Sequence, residues 1–133
     1  MSAPRSSAPA PISIAIIDDD ASVRVSLKRL CTVFGLQATV YASGREFLSS
    51  IESGASRADC LLLDAHMPEM TGSELHRHLV AKGISIPTII FTADDAPEVA
   101  AHYSAAGVVA CLRKPLSSED LLAAIERAVR GRE

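Results

Sequence analysis

A chain of 133 residues suffices for one domain with a buried core and leaves little for a second. Hydrophobic residues make up 48% and charged residues 22%, with a formal net charge of −3, which excludes both a disordered chain and a basic nucleic-acid-binding segment. The three cysteines, Cys31, Cys60 and Cys111, are odd in number, lie in apolar stretches and lack CxxC or Cys/His spacing, so buried thiols in a reducing compartment are expected, with no disulfide framework and no zinc site.

In chain order, residues 1–11, MSAPRSSAPAP, are small, polar and proline-rich without the apolar core of a signal peptide. They read as a disordered tail ahead of one domain over residues 12–131. The first strand is expected at Ile12–Ile17 and runs into three carboxylates, Asp18, Asp19 and Asp20. A helix follows, with Val23, Leu27, Leu30 and Phe34 on one face and Gly35 as its stop. The second strand is Ala38–Tyr41, and Ser43 with Glu46 has capping-box spacing for the next helix. Strand three, Cys60–Leu63, ends at Asp64; Thr71 with Glu74 opens the third helix and Gly83 closes it. Strand four, Thr88–Phe91, ends at Thr92, and its helix runs Pro97–Ala106 up to Gly107. Strand five, Val108–Leu112, precedes Lys114-Pro115, and the last helix, Ser117–Arg130, carries Leu122, Ile125 and Val129 on one face.

Several of these strands are apolar without alternation, as strands covered on both faces are. Five βα units in so short a chain favour a doubly wound, five-stranded parallel sheet in three α/β/α layers over a barrel. Ligands of such a sheet collect at the carboxyl ends of the strands, near the reversal of strand order. Asp18, Asp19, Asp20, Asp64, Thr92 and Lys114 all emerge on that edge.

Two unit charges about 4 Å apart repel by roughly 4 kcal/mol at an effective dielectric near 20, so the clustered acids need a cation, a proton or water. Taken one at a time, these residues have bland readings: Asp18 and Asp19 as a helix cap and a solvated acid, Asp64 as a turn residue before Met67-Pro68, Lys114-Pro115 as a surface turn. His76, His78 and His102 fall on predicted helices without ligand spacing and are expected to be exposed, and Met67 and Met70 to be loop packing.

The constellation as a whole resembles the receiver domain of bacterial response regulators, the CheY-like family, and looks most similar to FixJ-like regulators. The acidic pair after "IAII", the central "LLLDAHMPEMTG", the strand "IPTIIFTA" and "CLRKP" occur in order at the family's separations, and the resemblance runs from Ile12 to the last helix. It implies the flavodoxin-like (βα)5 fold and a phosphorelay function: Mg²⁺-dependent transfer of a phosphoryl group from a histidine kinase to Asp64. Asp19 and Asp64 would ligate Mg²⁺, for which Mn²⁺ can substitute, Asp18 would act mainly through water, and the His66 backbone carbonyl would complete the set. Lys114 and Thr92 would contact phosphoryl oxygens, Ala93 would leave room for them, and the Lys114-Pro115 bond would be cis. Asp20 would be a solvated or capping acid.

The family's switch aromatic, three residues before the lysine, is replaced by Cys111, leaving Thr92 and a backbone shift as the expected switch. Implied partners are a sensor histidine kinase or phosphotransfer protein and a phosphorylation-dependent homodimer through the fourth helix, fifth strand and fifth helix. The domain itself would contact neither membrane nor nucleic acid and would be cytoplasmic. Its output is either partner binding as a stand-alone receiver or transcription regulation through a DNA-binding domain beyond this sequence. A haloacid-dehalogenase-like Mg²⁺-dependent phosphohydrolase is the alternative, although the place of its second aspartate holds His66.

Overall fold

The computed structural model describes residues 11–54, 57–93 and 97–132. Five strands alternate with five helices: β1 Ser13–Ile17, α1 Ala21–Val33, β2 Gln37–Tyr41, α2 Gly44–Glu52, β3 Cys60–Asp64, α3 Gly72–Ala81, β4 Thr88–Thr92, α4 Pro97–Ala105, β5 Ala110–Arg113 and α5 Ser118–Arg132. All pairings are parallel, in the order β2-β1-β3-β4-β5. The doubly wound three-layer architecture expected from the sequence is the one observed.

Alternation along buried strands divides the core in two. On one face Ile14, Ile16, Cys60, Leu62, Ile89 and Phe91 pack against Leu27 and Cys31 of α1 and Leu121, Ala124, Ile125 and Ala128 of α5. On the other, Ile17, Leu61, Leu63 and Ile90 meet Phe47 and Leu48 of α2, Leu75 and Leu79 of α3 and Tyr103 of α4. Because β3 and β4 are buried at every position, no alternating polar pattern survives in them.

The helix ends follow local chemistry. Ser43 and Thr71 accept the Glu46 and Glu74 N–H groups at 3.1 Å, and Thr71 with Glu74 forms the full capping box. Ser117 likewise accepts the Asp120 N–H at 3.0 Å. Strand five starts at Ala110 and not at the expected Val108. The Val108 N–H donates to the Tyr103 carbonyl, while Gly107, at φ 90°, takes the left-handed turn, so the end of α4 has captured the residue that apolar pattern assigned to the strand.

Two expectations about burial change. His76 is buried, not exposed, because α3 turns it toward the junction with β4 and α5. Cys31 and Cys60 are fully buried, whereas Cys111 is only partly so because β5 is the sheet's outer strand. The tail expected over residues 1–11 lies, apart from exposed Pro11, outside the described residues. Among the described residues no helix is long and apolar enough to cross a membrane.

Candidate functional site

Strand order reverses between β1 and β3: the chain leaves β1 for β2 on one side, then returns to place β3 on the other. The carboxyl ends of β1 and β3 therefore flank the crevice in which an open parallel sheet binds ligands. Asp18 follows β1 directly, Asp64 is the last residue of β3, Thr92 the last of β4, and Lys114 follows β5.

The three consecutive acids have three different fates. Asp20 caps α1, accepting the Ser22 hydroxyl at 2.7 Å and the N–H groups of Ser22 and Val23 at 2.9 and 3.4 Å, bonds that hold its carboxyl below the usual range. Asp19 remains exposed to solvent. Asp18 is fully buried, with its N–H on the Tyr41 carbonyl at 3.1 Å and its own carbonyl held by Arg24 Nη1 at 2.8 Å. Its Oδ1 accepts the Asp20 N–H at 2.8 Å, so the capping loop also orients the buried acid.

Asp18 Oδ2 is sealed from solvent and accepts no hydrogen bond from any described residue. Burial is the main cause of its raised pKa; the Asp20 N–H opposes it, and the Asp64 charge adds to it. Carboxylate oxygens of Asp18, Asp19 and Asp64 lie within 4.8 Å of one another. A hard divalent cation fits this arrangement: it supplies a partner for the orphaned oxygen and takes carboxylate ligands at the exposed rim.

Lys114 reaches into the same crevice. Its Nζ stands 3.2 Å from Asp64 Oδ1 and 3.7 Å from Asp18 Oδ2, and 5.3 Å from the Phe91 ring centroid. The Lys114 N–H donates to the Thr92 carbonyl at 2.8 Å, and the Lys114-Pro115 peptide is cis, as the family resemblance implied. Asp64, nearly fully buried, also accepts the His66 N–H at 3.3 Å. A nearly buried carboxylate, a second buried acid and an ammonium group thus share one opening, a combination suited to receiving an anionic group beside a cation.

His66 is exposed and lines a recess of about 240 Å³ with Glu98, Val99, His102 and Tyr103. Cys111 lies opposite Ile90 in β5 and packs against the core cluster containing Tyr103; burial pushes its thiol pKa up. Two contributors were invisible as site residues in the sequence. Arg24 acts through a backbone carbonyl and leaves no pattern. Gly72, legible only as part of "MPEMTG", lets the start of α3 lie against the Asp64 carbonyl, where a Cβ would come within 2.5 Å.

Comparison with known proteins agrees with this geometry. The family model described as "Response regulator receiver domain" matches residues 14–126. The response regulator protein TmoT of Ectopseudomonas mendocina is 35% identical over 117 residues, 88% of this chain and 52% of its own length. Response regulator MprA of Mycolicibacterium vanbaalenii is 35% identical over 120 residues, 90% of this chain and 51% of its own. The chain thus spans about half the length of these curated relatives. Among solved structures, FixJ-N superposes with a TM-score of 0.82 at 32% identity, covering 92% of this chain and 96% of that one. A response regulator receiver protein from Burkholderia phymatum superposes at 0.80 with 35% identity, covering 90% and 95%.

Proposed function

This chain belongs to the response regulator receiver domain family, and from that premise we propose that Asp64 is its phosphoacceptor and that Asp18, Asp19, Asp64 and the His66 carbonyl hold Mg²⁺. The observation that carries this reading is the buried, hydrogen-bond-free Oδ2 of Asp18 beside Asp64 and Lys114. Bound there, Mg²⁺ or Mn²⁺ would neutralise charge on carboxylate and phosphoryl oxygens.

An Asp64 carboxylate oxygen attacks the phosphorus of a kinase or phosphotransfer-protein phosphohistidine. The new O–P bond forms as the P–N bond breaks, its electron pair returning to the imidazole. Lys114 shifts from Asp64 to an equatorial phosphoryl oxygen, keeping its ion pair within the crevice, and the Thr92 hydroxyl donates to another. Water later attacks the same phosphorus, releasing phosphate and restoring Asp64. The domain promotes both steps itself by positioning these groups, and its role is signalling.

Downstream, phosphorylation biases a two-state surface made of α4, β5 and α5, through which the chain pairs with a second copy. Given relatives twice its length, regulation of transcription through a separate DNA-binding region is the output we infer, in the cytoplasm. The dehalogenase-like phosphohydrolase finds no support: the residue two after Asp64 is the exposed His66, and the matched proteins are response regulators.

The test is intact mass after incubation with acetyl phosphate and Mg²⁺. One phosphoryl adduct on the wild type, absent with EDTA and from Asp64→Asn, is expected; an adduct that survives in Asp64→Asn would refute the assignment.

A further inference from the structure

The opposite edge of the sheet holds a second cleft, about 580 Å³, that phosphorylation chemistry does not use. Its volume falls within the range of about 300–1,000 Å³ usual for small-molecule sites. The cleft opens where α3 ends, where the chain enters β4 at Pro87, and where α5 passes over Val109. Its walls include Leu79, Ile86 and Ala128, and its polar groups include His76, Ser85 and Arg127.

His76 is only 9% exposed, and its side chain makes no hydrogen bond to a described residue. Asp18 Oδ2 is the only side-chain N or O atom among the described residues that is both sealed and without a hydrogen bond. The ring nitrogens of His76 are therefore not sealed, and the residue lines the cleft. Arg127 donates one Nη2 bond to the Val109 carbonyl at 2.9 Å, which pins its guanidinium at the rim with other N–H groups to spare. Among the described residues no acidic side chain lines the space, so Arg127 has no carboxylate partner from them there.

We propose that this cleft is a binding site for a small amphipathic carboxylate, whose head group pairs with Arg127 and accepts an N–H from His76 while its apolar body lies on Leu79, Ile86 and Ala128. Arg and carboxylate match as a planar two-bond pair, and burial of His76 in an apolar wall keeps its imidazole neutral, with one nitrogen a donor. The site is distinct from the acidic crevice: Pro87 and Thr92 lie at opposite ends of β4, about 16 Å apart along the strand.

The experiment is titration of the ¹⁵N-labelled chain with hexanoate and, as the uncharged control, hexanamide. Saturable shifts at Leu79, Ile86, Val109 and Ala128, with hexanoate binding about tenfold tighter than hexanamide, are expected. Arg127→Gln and His76→Leu should each weaken hexanoate about tenfold while leaving the acetyl phosphate adduct unchanged. Equal response to acid and amide, shifts confined to the Asp64 and Lys114 edge, or no saturable shift would each overturn the proposal. The acid-to-amide comparison decides on the wild type alone if a variant fails to fold.

Discussion

A Cβ placed on Gly72 would lie 2.5 Å from the Asp64 carbonyl oxygen and 3.2 Å from the Ala65 Cα, so the first residue of α3 and the last of β3 touch through bare backbone. The Gly72 N–H donates to the Ala65 carbonyl at 3.1 Å across the same contact. Both obstacles are main chain and cannot rotate away. Gly72→Ala is therefore expected to cost about 1–3 kcal/mol by overpacking and to slow acetyl phosphate labelling of Asp64. Thermal melts and adduct kinetics test it; an unchanged melt would mean that the loop yields.

Asp18 gives a prediction of opposite sign. Its pKa is raised above 3.8, chiefly by burial, so between 3.8 and the folded value the folded chain binds more protons than the unfolded. Stability then falls as pH rises through that window, and the penalty stays in full at neutral pH. Asp18→Asn keeps the acceptor for the Asp20 N–H and removes the charge. In EDTA at pH 7 the variant should melt higher than wild type, by about 4 °C per kcal/mol relieved. Added Mg²⁺ should raise the wild type more than the variant. A lower melt for the variant in EDTA would contradict the burial argument.

His76 predicts an acid-side slope. Burial lowers its pKa below 6.5, so between the folded value and 6.5 the unfolded chain binds the extra proton and stability rises with pH. Acidifying through pH 6.5 should destabilise the wild type, with a contribution of at most about 1.4 kcal/mol per pH unit from this group. His76→Leu should remove that part of the slope in denaturant titrations. An identical slope in both proteins would assign it elsewhere.

Cys111 stands where the family's rotating ring would be, opposite Ile90 on the outer strand. A thiol cannot make that rotation, so in the proposed switch the coupling would fall to Thr92. Cys111→Tyr is expected to change dimerisation of the phosphorylated chain several-fold while changing its labelling rate less than about twofold. Equal dimer affinity in both forms, measured by sedimentation, would remove Cys111 from the coupling.

Thiol reactivity should follow burial. Cys31 is fully buried with its pKa pushed up to about 11, and Cys60 is equally buried, whereas Cys111 is partly open. Iodoacetamide on the native protein should label Cys111 first, read by peptide mass. Early labelling of Cys31 would mean that α1 opens locally.

Short apolar runs bounded by acids, glycines and prolines were enough to determine five βα units, because burial on both faces of a parallel sheet leaves no room for alternating polar residues. The caps at Ser43, Thr71 and Ser117 were equally legible, since each is a bond between residues three apart. Asp18, Asp19, Asp64, Thr92 and Lys114 could be read as one site because doubly wound topology sends all strand ends to one edge. What only the tertiary structure decided depends on neighbours distant in the chain. Helix α3 turns His76 inward to a cleft shared with α5, the α4 cap takes Val108 from strand five, and Gly72 meets Asp64 backbone to backbone. Local pattern reports which residues want burial; which groups then face one another is set by how the helices pack across the sheet.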